Sequence, residues 1–143
     1  MICTFFGHRD IPEGVSIPLY KVLSELIKQY PSIRFYVGNS GGFDRAVIRA
    51  LQQLQKDFPS ISYAVVLAYL PQKQEAFGDT YPTLFPEGLE RTPPRFAIDK
   101  RNRWMLKSAN IVITYVKYPF GGAANYKAIA KQQHKTIIEL SEI

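Results

Sequence analysis

Apolar residues follow two alternating rhythms along this chain. Short, near-continuous runs rich in β-branched and aromatic side chains have the length and composition of strands: Ile2 to Phe6, Arg34 to Val37, Tyr63 to Leu70, Ile111 to Val116 and Thr136 to Leu140. Between them the apolar positions fall at steps of three and four. Leu19, Val22, Leu23, Leu26, Ile27 and Tyr30 form one such segment, and Val47, Ile48, Leu51, Leu54 and Phe58 form the next. Pro31 and Pro59 stop these two helices. A sheet covered on both faces needs apolar residues at every strand position, whereas a one-sided sheet would alternate. The pattern predicts an α/β domain spanning 1–143, with a largely parallel sheet of about five to six strands flanked by helices on both faces.

One stretch breaks the rhythm. Pro71 to Phe96 runs for 26 residues with five of the ten prolines, a length that in a compact domain marks a lid or binding loop. Its aromatics, Phe77, Tyr81, Phe85 and Phe96, favour a packed segment over disorder. No apolar run reaches the length of a membrane span, and Met1 leads straight into the first strand without a basic lead or a small-residue cleavage site, so a cytoplasmic protein with no membrane partner is expected. Cys3 sits in that strand as a small core residue. Charge changes the picture more than composition does. The net charge of +6 is unevenly spread: residues 1–90 hold 8 basic and 9 acidic side chains, while 91–135 hold 10 basic side chains against Asp99 alone. That bias suits an anionic partner, either a phosphorylated small molecule or nucleic acid.

In an open α/β sheet ligands bind at the carboxyl ends of the strands, so the residues just after each strand carry the candidate chemistry. After the first strand come Gly7, His8 and Arg9, where a glycine allows close approach and two side chains can donate to an anion or a hydroxyl. After the second come Gly38, Asn39, Ser40, Gly41, Gly42 and then Asp44 at a helix start. Neither the Walker A loop nor G-x-G-x-x-G fits this spacing. The general mechanism survives, in which free amides at a helix N-terminus attract negative charge. Asp44 opposes a phosphate there; it either caps the helix or accepts from a ribose hydroxyl. The paired glycines recur after the strand Ile111 to Val116, as Gly121 and Gly122 followed by Ala123, Ala124 and Asn125.

The segment Ala97 to Ala109 has a helical arc of Ile98, Met105, Leu106 and Ala109, with Asn102 inside the arc and Arg101 at its edge. A buried amide and guanidinium need partners, so these two either tie down neighbouring loops or reach a ligand. Trp104, nearly opposite the arc, suggests a subunit contact or packing beneath the long loop. His8 and His134 are far apart in sequence and no ligand cluster has zinc spacing, so neither a metal nor another cofactor is expected.

With these residues in view, the chain resembles a YpsA-like member of the SLOG superfamily, the Rossmann-like group that includes the DNA-processing protein A and Lonely Guy families. The resemblance rests on FFGHRDIP, VGNSGGFDRAV, TPPRFAIDKRNRWML and ANIVITYVKYPFGGA, in that order. It implies a single Rossmann-like domain, a pocket for nucleotides or nucleotide-derived molecules and association into homo-oligomers. The Lonely Guy branch hydrolyses the N-glycosidic bond of nucleoside monophosphates with M-x-x-R-K-x-x-M and P-G-G-x-G-T-x-x-E. Ile98 to Met105 is similar to the first and keeps its arginine as Arg101; Phe120 to Ala128 is similar to the second but has Ala124, Asn125 and Ala128 where that motif has glycine, threonine and glutamate. The expectation is therefore a binding protein that senses, carries or sequesters a nucleotide-derived ligand, with the hydrolytic carboxylate lost. The alternative is an N-glycosidic hydrolase or transferase using Asp44, Asp99 or Glu87 instead. A third reading, single-stranded nucleic-acid binding, follows from the basic second half and the DNA-processing relatives, with Trp104, Tyr118, Tyr126 and the core-strand Tyr115 as candidate stacking aromatics.

Overall fold

The computed structural model describes residues 1–70 and 81–143. Six strands, β1 (Ile2–Gly7), β2 (Arg34–Val37), β3 (Ser62–Val66), β4 (Thr83–Leu84), β5 (Ile111–Tyr115) and β6 (Thr136–Glu139), form one sheet in the order β4-β3-β2-β1-β5-β6. Every pairing is parallel. Among the described residues four α-helices accompany them: α1 (Ser16–Gln29), α2 (Gly42–Asp57), α3 (Ala97–Ser108) and α4 (Gly122–Gln132). The chain winds outward from β1 to β4, then crosses back to place β5 on the other side of β1. Because parallel crossovers are right-handed, this reversal puts α1 and α2 on one face and α4 on the opposite one. The fold is the α/β Rossmann-like arrangement that the apolar pattern predicts, and the reversal leaves a crevice between the carboxyl ends of β1 and β5.

Strand alternation divides the core into two layers. Cys3 and Phe5, Phe35 and Val37, Tyr63 and Val65, and Ile111 and Ile113 pack with Leu19, Leu23, Val47, Leu51 and Leu54 from α1 and α2. Phe6, Tyr36, Val66 and Val112 face the other way and pack with Met105 and Leu106 of α3 and with Tyr126 and Ala130 of α4. Burial of both faces is what removes the polar positions from these strands and makes them read as continuous apolar runs. Cys3 is fully enclosed, and burial pushes its thiol far above the usual range, so it serves as a core residue.

The sequence reading and the structure part at β3 and beyond. The apolar run Tyr63 to Leu70 is longer than its strand, which ends at Val66; Leu67 and Ala68 stay buried, whereas Tyr69 and Leu70 emerge to solvent. Strand β4 is only two residues, too short for any periodicity to show. Of the proline-rich stretch, residues 71–80, including Phe77, lie outside the described residues. The remainder is packed as expected: Tyr81 and Phe85 rest on the core and Leu89 is buried, although Phe96 stands exposed. Trp104 is half-buried against Tyr36, with ring centroids 5.2 Å apart, and shares a surface recess with Pro86 and Leu89, so it packs beneath the described end of the long loop.

A buried carboxylate ties α4 to the sheet. Glu139, at the end of β6, accepts from Thr114 Oγ1 (2.7 Å), the Val116 amide (2.9 Å) and the Ser141 amide (3.0 Å), and pairs with Lys127 Nζ at 2.7 Å. Burial pushes its pKa up, but the Lys127 ammonium and the three hydrogen bonds outweigh this and hold it at about 2, below its ordinary 4.5. Its contribution to stability is therefore complete above pH 4.5 and lost as pH falls toward 2. Glu139→Gln is expected to cost roughly 1–3 kcal/mol at neutral pH, discounted for solvent screening, and to flatten the acid limb of stability against pH. Denaturant melts between pH 2 and 7 would measure both, and an unchanged acid limb would contradict the assignment.

Candidate functional site

An open cleft of about 480 Å³ lies at the carboxyl ends of the strands, where the sheet order reverses. Phe5 to Arg9 run along its base, Ser40 comes from the turn before α2 and Asp44 from its first turn, and Ile98, Arg101, Asn102 and Met105 come from α3. The turn into α4 closes the remaining side with Tyr118, Phe120, Gly121, Gly122 and Ala123, and Tyr126 follows one turn into the helix.

The two Gly-Gly turns have nearly the same backbone. Gly41 (φ 116°, ψ −176°) caps α2 and Gly121 (φ 97°, ψ 176°) caps α4, both in a region open essentially to glycine alone. Their surroundings differ completely. A Cβ on Gly42 would collide with the Arg9 carbonyl oxygen, to which the Gly42 amide donates at 2.7 Å. A Cβ on Gly7 would collide with the Phe43 ring. Gly7, Gly41 and Gly42 therefore let α2 sit tightly against the end of β1. By contrast, a Cβ on Gly121 or Gly122 meets nothing within 4 Å, so this second turn is open toward the cleft. The helix ends differ in charge as well. Asp44 lies in the first turn of α2, and no acidic residue lies in the first turn of α4.

Arg101 is 1% exposed and forms the floor. Its Nε donates to Asn102 Oδ1 (2.8 Å), Nη1 to Asn39 Oδ1 (3.0 Å) and the Val66 carbonyl (3.1 Å), and Nη2 to Ser40 Oγ (3.0 Å). Four of its five N–H donors are thus committed to protein acceptors. The spacing Ala97, Arg101, Met105 places it on the buried stripe of α3, while Asn102 is only half-buried and Ile98 is 39% exposed at the cleft wall, so the arc is rotated from the one read in the sequence. Gly38 is buried between the charges: a Cβ there would lie 3.0 Å from Asp44 Oδ2 and 3.1 Å from Arg101 Cζ. Asp44 Oδ2 accepts the Ser40 amide at 2.9 Å. Burial raises the Asp44 pKa from 3.8 to about 6, against the lowering effects of the Ser40 amide, Arg101 and Arg45.

His8 Nε2 accepts from the Lys117 and Tyr118 amides at 2.9 and 3.3 Å, so the ring carries its proton on Nδ1 and braces the turn into α4. The Arg9 side chain is exposed at the cleft edge. Asn39 holds Arg101, and Asn125 is exposed on α4, away from the cleft lining. The three candidate carboxylates separate. Asp44 faces the cleft. Asp99 accepts from Tyr126 Oη at 2.6 Å and Arg103 Nε at 3.0 Å, with its pKa lowered chiefly by the Tyr126 hydrogen bond, and Glu87 lies in the recess beside Trp104. Sequence reasoning missed Phe6 and Met105 as cleft residues, because their period marks them as core, and it read Tyr126 only as a stacking candidate for nucleic acid. It also missed Phe120, whose place beside the second Gly-Gly pair was the available signal, and it read Tyr118 only as a stacking candidate for nucleic acid. Among the described residues no group of three or more His, Cys, Asp or Glu side chains converges on one point, and no helix is long and apolar enough to cross a membrane.

No protein-family model matches the chain, and no curated protein matches it. Solved structures do. DNA processing protein A (DprA) from Streptococcus pneumoniae is similar with a TM-score of 0.67 at 16% identity, over 96% of this chain and 49% of that one. DNA processing protein A from Helicobacter pylori, described for its single-stranded DNA binding mode, is similar with a TM-score of 0.68 at 13% identity, over 97% of this chain and 64% of that one. The chain thus spans about half to two thirds of the length of these relatives in structure. What it shares with them at this identity is the six-stranded parallel Rossmann-like fold.

Proposed function

We propose that the cleft binds a nucleotide or nucleotide-derived small molecule, with its phosphate at the N-terminus of α4 and a ribose hydroxyl on Asp44. The observation that carries this reading is the contrast between two helix ends of like backbone. The α2 end is already neutralised by the Asp44 carboxylate, which has a second oxygen able to accept a hydroxyl. The α4 end is open, glycine-lined and free of acid in its first turn, the arrangement that favours an anion. Arg9, exposed at the cleft edge, adds positive charge to the cleft. The resemblance to YpsA-like SLOG proteins supports the same ligand class.

Single-stranded nucleic acid is the second reading, favoured by the fold shared with a DNA processing protein described for that binding. Calorimetry with nucleoside monophosphates, ADP-ribose and cyclic nucleotides tests the first reading, and absence of heat at millimolar ligand would overturn it. Retention of single-stranded DNA that weakens steeply with salt, without any small-ligand binding, would establish the second.

Two variants separate binding from stability. Gly122→Asp puts a carboxylate into the first turn of α4 at a position where a side chain meets nothing. Its melting temperature is expected to stay within a few degrees of the parent, while affinity for a nucleoside monophosphate falls at least roughly ten-fold through repulsion of the phosphate. Equal affinity would remove the phosphate from that helix end. Asp44→Asn tests the other pole. The folded chain holds the Asp44 proton up to about pH 6 and the unfolded chain only to about 3.8, so stability declines as pH rises between these values and the cost is complete above 6. The variant is expected to lack that slope and to gain about 1–3 kcal/mol at pH 7.5. It should also bind a cyclic nucleotide, whose phosphodiester does not titrate in this range, more weakly. Denaturant melts and titrations at pH 5 and 7.5 would check both.

A further inference from the structure

Tyr118 and Phe120 are 52% and 70% exposed, whereas most of the other described aromatic rings are buried or partly buried. They are not splayed at random. Their centroids lie 5.7 Å apart with planes 22° from parallel, and the His8 ring lies 5.3 Å beyond Tyr118, so three rings form a ladder from the base of the cleft to its mouth. The ladder is held rigid. His8 Nε2 pins the Lys117 and Tyr118 amides, and Pro119 fixes its own φ and restricts the backbone of Tyr118. The rings therefore present a preformed apolar face beside the open N-terminus of α4, at little ordering cost to a ligand.

We infer that this ladder is a nucleobase subsite: the base of the bound nucleotide stacks on the outer ring, Phe120, and extends the ladder by one. The inference rests on the nucleotide reading of the cleft and adds to it the part of the ligand that supplies affinity. A phosphorylated sugar without a base would leave the exposed rings uncovered, whereas a planar heterocycle covers them in the offset-stacked geometry that aromatic pairs prefer. Stacking tolerates any base, since each has a π-face, but grows with ring area, so purines should exceed pyrimidines.

Calorimetric titration of the full chain with ribose 5-phosphate, UMP and AMP tests this, using the parent, Phe120→Ala and Phe120→Trp. The parent is expected to bind AMP roughly 5- to 100-fold more tightly than ribose 5-phosphate, with UMP between. Phe120→Ala should erase that difference while leaving ribose 5-phosphate unchanged, and Phe120→Trp should restore it. If AMP and ribose 5-phosphate bind the parent equally, or Phe120→Ala weakens both alike, the base subsite is wrong and the phosphate and ribose reading stands. If none of the three binds, the nucleotide reading fails and this inference with it. Size-exclusion chromatography of the same variants supplies the remaining outcome. A parent oligomer that dissociates on Phe120→Ala, with no selective loss of AMP, would make the rings a contact between copies and overturn the subsite.

Discussion

The Arg101 guanidinium is taken almost wholly out of water, and among the described residues its hydrogen bonds go to neutral acceptors: a carbonyl at the end of β3, two side chains in the turn after β2 and an amide on its own helix. Removing a charge from water is costly, and only good geometry offsets it. The geometry here joins three separately built pieces of backbone at one point. A lysine has a single donor group in place of the planar fork and would leave some of those acceptors unpaired. The Asn39–Ser40 turn is thereby fixed, the Ser40 amide is aimed at Asp44, and the carboxyl is held at the cleft wall in a setting that raises its pKa to about 6. The position of the cleft's acid thus depends on a cation that is itself buried in the floor.

The same economy explains why two turns of one backbone type serve different ends. Around Gly42 the space is filled by the Arg9 backbone, so that glycine is a packing requirement of α2 on β1. Around Gly122 the space is open, and the helix behind it is anchored from its far side by the Lys127–Glu139 pair. One helix end is consumed by the fold and the other stays open to the cleft. A polar molecule entering between them meets an acceptor on one side and donors on the other, which orients it before any side chain moves.

The layers of the sheet were legible in the sequence because burial on both faces leaves a continuous apolar run, whereas the strand order, and with it the switch point, emerged only from the structure. Side-chain roles were less legible. Gly7, Gly41 and Gly42 were read as ligand approaches, but a glycine needed by a neighbouring ring or carbonyl has the same letter. Arg101 and Asn102 were both recognised as polar groups needing partners, yet a one-residue rotation of the arc decides which is enclosed, and an ideal period of 3.6 cannot resolve it through the 3₁₀ turn Pro94–Phe96 that leads into α3. Glu139 carried no signal at all, since its partners lie 12 to 25 residues away on other elements or two residues on in the chain.

Whether such a site also reacts depends on its carboxylates. Cleavage of an N-glycosidic bond calls for a group to support the developing oxocarbenium ion and another to manage water or the leaving base. Among the described residues lining the cleft, Asp44 is the one carboxylate. Asp99 is engaged with Tyr126 and Arg103, and Glu87 is in another recess. Ala128, where the related hydrolytic motif has glutamate, is exposed on α4 outside the cleft lining, and the wall is formed by Tyr126 in its place. The Tyr126 hydroxyl donates to Asp99, and burial raises its pKa, so it offers neither a charge for a cation nor a base for water at neutral pH. On the proposed reading Asp44, the one carboxylate among the described lining residues, would hold a ribose hydroxyl, and its pKa of about 6 makes that contact depend on pH.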